Sequence, residues 1–532
     1  MKTNGSDPAN QSAQAAVPSH PNPLPPGQGA AANAPNVTAP TAATPPLAAV
    51  LPLPAGEGRG EGERVPKSIS LRMTLVCGVV GLVCFHLAYY SSLLSPLMLG
   101  YAWALVELTR VQTGRRAFLS GFFLGLGSFV PQMGFLWTIF GIPAVPLWCV
   151  LAFWIGLFVW VGRLARQQFG NGALLLLPLL WIGLEYFRSE LYFLRFSWLN
   201  MGYAFAEWPL LVKTCGGVYG VGAAFMLLAC FHSFCWHDRR WPLWRFQIFW
   251  LVFFPVAVLV ALPPFVSSGR TGWPLRVAGI QLEFPAMLEV PPALDRVLLA
   301  HPKTDLFVLS EYTFDGAVPK RVRDWCRKNG KHLLVGGKDD LGDGRYHNTA
   351  FVVGPDGEIV FQQAKAVPIQ FFKDGLPAPE QKVWNSPWGM LGICICYDSS
   401  FTRVTDELVR QGAQAIIVPV MDMTEWGTHQ HELHSRVAPV RAAEYRMPVF
   451  RVCSSGISQL VSKNGTVFES APFPGQGEII GGATAVRLPG EGIGRLPFDR
   501  CLAWLGLAGV ALTLGVALKH RFQRKQPSPA TS

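Results

Sequence analysis

The stretch MLGICICYDSSF, Met390–Phe401, decides how the rest of the chain is read. It opens as a short apolar run and turns polar at Cys396-Tyr397-Asp398. A buried strand ending in such an elbow places a thiol where backbone N–H groups come free to bind an oxyanion. Cys394 lies two residues earlier, on the same strand face; Cys396 is the better nucleophile candidate because it abuts the turn. Comparable runs lie on both sides: LRVAGIQL (Leu275–Leu282), DLFVLSE (Asp305–Glu311), HLLVGG (His332–Gly337), NTAFVVGPDGEIV (Asn348–Val360) and AQAIIVPV (Ala413–Val420). Continuous β-branched runs of this length suggest strands buried on both faces. Helical stretches fall between them, at Ala293–Ala300, Lys320–Asn329, Arg403–Gln411 and His431–Glu444, and GPDGE is a hairpin turn. Residues 275–488 therefore read as an α/β domain.

Outward from this domain the chain changes character. Of its 532 residues, 50% are hydrophobic, 12% aromatic and only 15% charged, against about 25% charged in ordinary globular proteins. That excludes a simple soluble enzyme, a coiled-coil rod or a mainly disordered chain. Eight apolar stretches are expected to be helices of membrane length or slightly shorter: Leu71–Tyr89, Leu93–Leu108, Ala117–Phe140, Val145–Val161, Ala173–Phe187, Gly216–Cys235, Phe246–Val266 and Cys501–Leu518. Arginines and lysines collect in every second connection, as at Arg110, Arg115 and Arg116, at Arg163 and Arg166, and at Arg239, Arg240 and Arg245. The net charge of +11 is thus better explained by the positive-inside rule than by nucleic-acid binding. The rule puts both termini in the cytoplasm and the α/β insert outside. The expected organisation is a Pro/Ala-rich disordered leader (1–67), seven helices (68–268), the α/β domain (275–488), a last helix (500–519) and a basic tail (520–532).

Three residues stand out chemically. Glu311 ends a run too apolar to hold a carboxylate cheaply, and burial there raises its pKa and makes it a usable base. Lys365 follows the hairpin and offers a cation for a thiolate or an oxyanion. Cys396 is the thiol. The 11 cysteines are scattered, without CxxC or Cys/His spacing, so neither a disulfide framework nor a metal site is expected. His429, His431 and His434 lack the HExxH spacing of a zinc protease and read as a polar helix start.

The order Glu311, Lys365, Cys396 in these strand contexts resembles the nitrilase superfamily. The resemblance covers Leu275 to about Leu488. An insert of this kind before the last of about eight helices is similar to the apolipoprotein N-acyltransferases, the membrane-embedded branch of that superfamily. The membrane stretch Trp181–Phe205 resembles that family's segment ending in Trp-Leu-x-x-Gly-Tyr. The resemblance implies a polytopic helical bundle carrying an inserted α-β-β-α sandwich. It implies Glu311 as general base, Lys365 as oxyanion-stabilising lysine, Cys396 as nucleophile, and Tyr397 and Asp398 in support. It implies acyl transfer through a thioester, from a phospholipid donor to a diacylglyceryl apolipoprotein acceptor, by a monomeric enzyme of the bacterial inner membrane with no cofactor and no nucleic-acid partner. Two departures stand out. Asp398 replaces the usual glutamate of the elbow. After Lys365 the run KAVPIQFFKDG is two residues shorter than the family's spacer and has Phe371 in place of a second glutamate. Lys373 is therefore an alternative lysine, and an auxiliary glutamate in this loop has no counterpart.

A membrane substrate calls for apolar arms, and Ile369–Pro377, Met421–Trp426 and Ala471–Gly477 are candidates. Glu185 and Arg188 are spaced to pair with each other or to meet a lipid head group. Two other readings remain at this stage: a membrane-tethered carbon–nitrogen hydrolase or amidase with the same triad, and an inactive receptor built on the same fold.

Overall fold

A computed structural model describes residues 68–237, 274–471, 484–487 and 494–523. The expected span Phe246–Val266 and most of the arm Ala471–Gly477 lie outside them.

The helical part comprises α1 (Leu71–Tyr90), α2 (Met98–Leu108), α3 (Gly114–Gln132), α4 (Phe135–Phe140), α5 (Ala144–Phe169), α6 (Ala173–Tyr186), α7 (Pro209–Thr214), α8 (Val218–His237) and, after the insert, a long final helix (Asp499–Gln523). Among the described residues four stretches are long and apolar enough to cross a membrane: Leu71–Tyr90, Ala144–Leu191, Val218–His237 and Asp499–Gln523. The single span expected over Ala117–Phe140 is two helices, α3 and α4, separated just after Pro131, whose ring cannot continue a helical hydrogen-bond ladder. The final helix crosses α6 at a glycine pair. A Cβ on Gly183 would lie 2.5 Å from the Gly506 carbonyl carbon, and one on Gly506 would lie 2.1 Å from the Leu179 oxygen. Small residues let backbones approach where apolar burial supplies no drive between helices in lipid.

The two ends of the bundle differ in chemistry. At the start of α1, Ile69 N–H bonds the Arg110 carbonyl, and Arg110, Glu107 and His237 form an ion cluster there. At the other end of α1, about 30 Å away for 20 residues, Arg436 of the insert donates to the Tyr89 carbonyl at 2.7 Å. The insert therefore sits at the end opposite the basic one.

The insert holds two six-stranded mixed sheets. The strands are β1 (Pro274–Ile280), β2 (Leu306–Leu309), β3 (His332–Gly342), β4 (Arg345–Val353), β5 (Ile359–Ala364), β6 (Val383–Ser386), β7 (Gly389–Ile393), β8 (Ala415–Val420), β9 (Val449–Cys453), β10 (Ser458–Val461), β11 (Val467–Ala471) and β12 (Thr484–Arg487). One sheet runs β12-β1-β2-β3-β4-β5 and the other β11-β10-β9-β8-β7-β6. In each, three central strands are parallel. Their residues alternate between two cores, as the period of two demands. Ile280, Leu309 and Val335 face α9 (Val290–Ala300) and α10 (Lys320–Asn329). Val277, Val308 and Leu334 instead join Ile393, Ile417 and Phe450 between the sheets. Beyond the second sheet lie α11 (Thr402–Arg410), α12 (Thr428–Ser435) and α13 (Val437–Tyr445); the final helix is therefore α14. The helix expected over His431–Glu444 is thus two, α12 and α13, meeting at Arg436. The expected GPDGE turn joins β4 to β5, closed by Gly354 N–H on the Glu358 carbonyl at 2.8 Å.

Candidate active site

Three strand ends converge where the two sheets meet. Glu311 follows β2, Lys365 follows β5 and Cys396 follows β7, and all three are buried. Glu311 is set by a close passage of β3: a Cβ on Gly336 would meet the Glu311 Cα at 2.6 Å, so only glycine lets this strand by. Non-glycine residues in the left-handed region cluster here, with φ of 50° at Cys396, 51° at Tyr312 and 68° at Phe371. Such strained backbone persists only where its surroundings over-determine it, and it gathers at functional sites.

Lys365 Nζ lies 2.8 Å from Glu311 Oε1 and 2.7 Å from Asp374 Oδ2. Asn348 bridges the same two acids, donating to Glu311 Oε1 at 2.6 Å and Asp374 Oδ1 at 2.8 Å. The other Glu311 oxygen accepts from Met421 N–H at 2.8 Å. Burial pushes the Glu311 carboxyl above its usual range against the pull of Lys365, and the Asp374 charge adds to the rise. Burial works against the Lys365 ammonium, but Asp374 and Glu311 together hold it firmly charged. The Cys396 thiol sits 3.8 Å from the Met421 carbonyl. Burial, then the facing Glu311 carboxylate, pushes it well above an ordinary thiol, so it rests protonated.

Asp374 is the residue that sequence reasoning missed. Besides Lys365 and Asn348 it takes Tyr312 O–H at 2.9 Å and Ile369 N–H at 2.7 Å. It stands three positions beyond Phe371, where the second acid of the pattern was sought. The loop's aspartate was visible in KAVPIQFFKDG, but the shortened spacer hid its role. Its neighbour Lys373 is exposed, and only its carbonyl is engaged, by Tyr346 O–H.

The elbow itself is tied down from several sides. Asp398 accepts Ala366, Val367 and Ile395 N–H at 3.0, 2.7 and 3.1 Å, lashing the segment after Lys365 to the turn at Cys396. Burial lifts its carboxyl to about 6 despite Lys365 and these donors. Tyr397 points away from the thiol and donates to the Arg195 carbonyl at 2.9 Å. Arg441 of α13 donates to the Ser399 and Ser400 carbonyls at 2.7 and 2.8 Å. Glu190, at the end of the α6 segment, takes Thr402 N–H at 3.1 Å. Cys394 is fully buried in the core of the second sheet. Glu185 and Arg188 each find their own partner, Met201 N–H and the Asn200 side chain respectively. Among the described residues no cluster of His, Cys, Asp or Glu could hold a metal ion.

Cys396 opens into a half-open cleft of about 880 Å³, counted together with the space at its mouth. One wall is the expected arm, Ile369–Phe372; another is Leu136, Phe140, Leu147 and Leu151 of α4 and α5; a third is the Leu194–Trp198 loop. Phe140 meets Phe372 edge-on, with centroids 5.3 Å apart. The thiol therefore faces a largely apolar space built jointly by membrane helices and sandwich.

Residues 77–231 match the apolipoprotein N-acyltransferase N-terminal domain, and residues 256–483 match the carbon-nitrogen hydrolase family. The chain is 24% identical to an apolipoprotein N-acyltransferase of Geobacter metallireducens, over 85% of this chain and 96% of that one. It is 26% identical to one of Pseudomonas aeruginosa, over 75% and 87%. Among solved structures, a carbon-nitrogen hydrolase from Helicobacter pylori aligns with 48% of this chain and 95% of its own, at 17% identity and a TM-score of 0.35. With an acyltransferase N-terminal region joined to a nitrilase-like sandwich, the chain belongs to the apolipoprotein N-acyltransferases, the membrane-embedded branch of the nitrilase superfamily.

Proposed function

We propose that this enzyme moves a fatty acyl chain from a phospholipid to the α-amino group of an N-terminal diacylglyceryl-cysteine, through a thioester on Cys396, as the last step of lipoprotein maturation. The observation that carries the reading is the cleft: the thiol opens into a largely apolar space walled by α4 and α5, suited to acyl chains. A site built for water as acceptor would have no use for such walls.

Glu311 takes the thiol proton as the sulfur attacks the ester carbonyl of the donor. Its raised carboxyl makes Glu311 a stronger base for that proton than an exposed carboxylate would be. Two N–H groups of Lys365 are held by Glu311 and Asp374, which leaves the third for the developing oxyanion. Collapse of the tetrahedral intermediate releases the lysophospholipid alkoxide, which takes the proton back from Glu311. In the second half-reaction the amine attacks the thioester, Glu311 accepts its proton, and the sulfur leaves. Acyl chains filling the apolar cleft would limit the approach of water to the thioester between the two steps.

We assign the sandwich to the outer face of the inner membrane, because it stands at the end of α1 opposite the Arg110 cluster. The bundle of about eight spans and the monomeric state belong to the same proposal. Intact-mass analysis after incubation with phospholipid tests the chemistry: an acyl adduct is expected on wild type and absent from Cys396→Ala. Unmodified wild type after prolonged incubation refutes the thioester route.

A further inference from the structure

One carboxylate beside the thiol has a task outside the chemistry above. Asp422 follows Met421, the residue whose backbone contacts both Cys396 and Glu311. Its Oδ2 receives Arg451 Nη2 at 2.6 Å and the Cys453 thiol at 3.7 Å. Its Oδ1 receives His434 Nδ1 at 2.8 Å and the Gln430 side-chain amide at 3.1 Å. These bonds orient both side chains. With its Nδ1 proton given to Asp422, His434 presents a bare Nε2 lone pair; with its NH2 given to the same oxygen, Gln430 presents Oε1. Trp198 stacks on the imidazole at 4.5 Å and fixes the ring plane.

Among the described residues neither His434 Nε2 nor Gln430 Oε1 has a hydrogen-bond partner, though the two residues are only 1% and 2% exposed. Both line the cleft onto which Cys396 opens. Buried acceptors without donors are costly and rare, so a pair of them points to a ligand that brings N–H or O–H groups. The burial that pushes His434 below the usual imidazole range, against Asp422, keeps it an acceptor at neutral pH. A phospholipid ester has only acceptor oxygens around its reacting carbonyl and cannot satisfy such a pair. A primary amine has two hydrogens and one lone pair.

We infer that His434 Nε2 and Gln430 Oε1 form the subsite for the acceptor amine, each taking one N–H so that the nitrogen lone pair points at the thioester carbon. This rests on the acyl-transfer reading above. As the N–C bond forms and the C–S bond breaks, the electron pair goes to the Cys396 sulfur; one N–H then leaves its acceptor and gives its proton to Glu311, which passes it to the sulfur and restores the thiol. The pair acts in the second half-reaction only.

The test separates the two half-reactions on the full-length protein. Phospholipid vesicles with a labelled acyl chain first load Cys396, read by intact mass; a synthetic diacylglyceryl-cysteine dipeptide is then added. His434→Phe keeps the stacking on Trp198 and removes the acceptor, and Gln430→Met removes the other. Both are expected to load Cys396 at close to the wild-type rate and to transfer about tenfold more slowly, with a raised KM for the dipeptide, as loss of one hydrogen bond predicts. His434→Gln, which restores an oxygen acceptor, should recover part of the transfer. Loading and transfer falling together, or neither changing, overturns the inference. Wild type that loads but does not acylate the dipeptide, or never loads, overturns the acyl-transfer reading and this inference with it.

Discussion

Lys365 has two of its three N–H groups bound to carboxylates that come from different elements, and one of those carboxylates was hidden in the sequence. Glu311, Lys365 and Cys396 could be singled out because each ends or follows an apolar strand, where a polar group is conspicuous. Asp374 sits in a loop whose path is set by Tyr312, Asn348 and the Ile369 N–H, contacts that no local pattern encodes. Asp374→Asn should leave Lys365 with one anionic partner and slow thioester formation about 10- to 100-fold, on the scale of a misplaced oxyanion donor. Lys373→Ala, at an exposed position, should stay within about twofold of wild type. Single-turnover loading of both variants decides between the two lysines. Cys396→Ala should abolish the adduct while Cys394→Ala keeps it, since Cys394 is buried in the core and does not line the cleft. Asp398 offers a pH test. Its carboxyl is lifted from 3.8 to about 6 by burial. The folded protein thus binds that proton more tightly than the unfolded chain, and this contribution to stability is lost as pH rises through about 6. The melting temperature of wild type minus that of Asp398→Asn should therefore fall between about pH 4 and 6 and level off above that.

At the scale of elements, the strands and helices that bracket the site were legible because their apolar runs are continuous and closed by turn residues. Where a pattern runs unbroken through a change of element, sequence reading fused two into one. Ala117–Phe140 hides the break between α3 and α4, and His431–Glu444 hides the junction at Arg436. Strands β6 and β10–β12 escaped because their residues are mixed in polarity and gain their places from neighbours in the sheet. The crossing of α6 and α14 was equally silent, since a glycine in an apolar run announces no partner. Gly506→Val should force those helices apart and cost about 1–3 kcal/mol, the usual penalty for overpacking. Thermal unfolding in detergent micelles, against Gly515→Val where a Cβ meets nothing within 4 Å, measures it.

Across the whole molecule, the alternation of basic and neutral connections predicts which side the sandwich occupies. Cysteine introduced at Gly342 should react with an impermeant reagent in intact spheroplasts, and cysteine at Arg115 only after the membrane is opened. Labelling in the reverse order would invert the topology. The assembly also has a temporal side. The turn that carries Cys396 is held by Glu190, translated some 200 residues earlier, and by Arg441, whose partner Glu444 is bound in turn by Arg500 at the start of α14. Asp499 beside it caps the Tyr219 and Gly220 N–H groups of α8. A nascent chain stalled on the ribosome before Asp499 would already contain Glu311, Lys365, Asp374 and Cys396, yet the support beneath its thiol would be incomplete. Insertion of the final helix is then the step that completes the support of this turn.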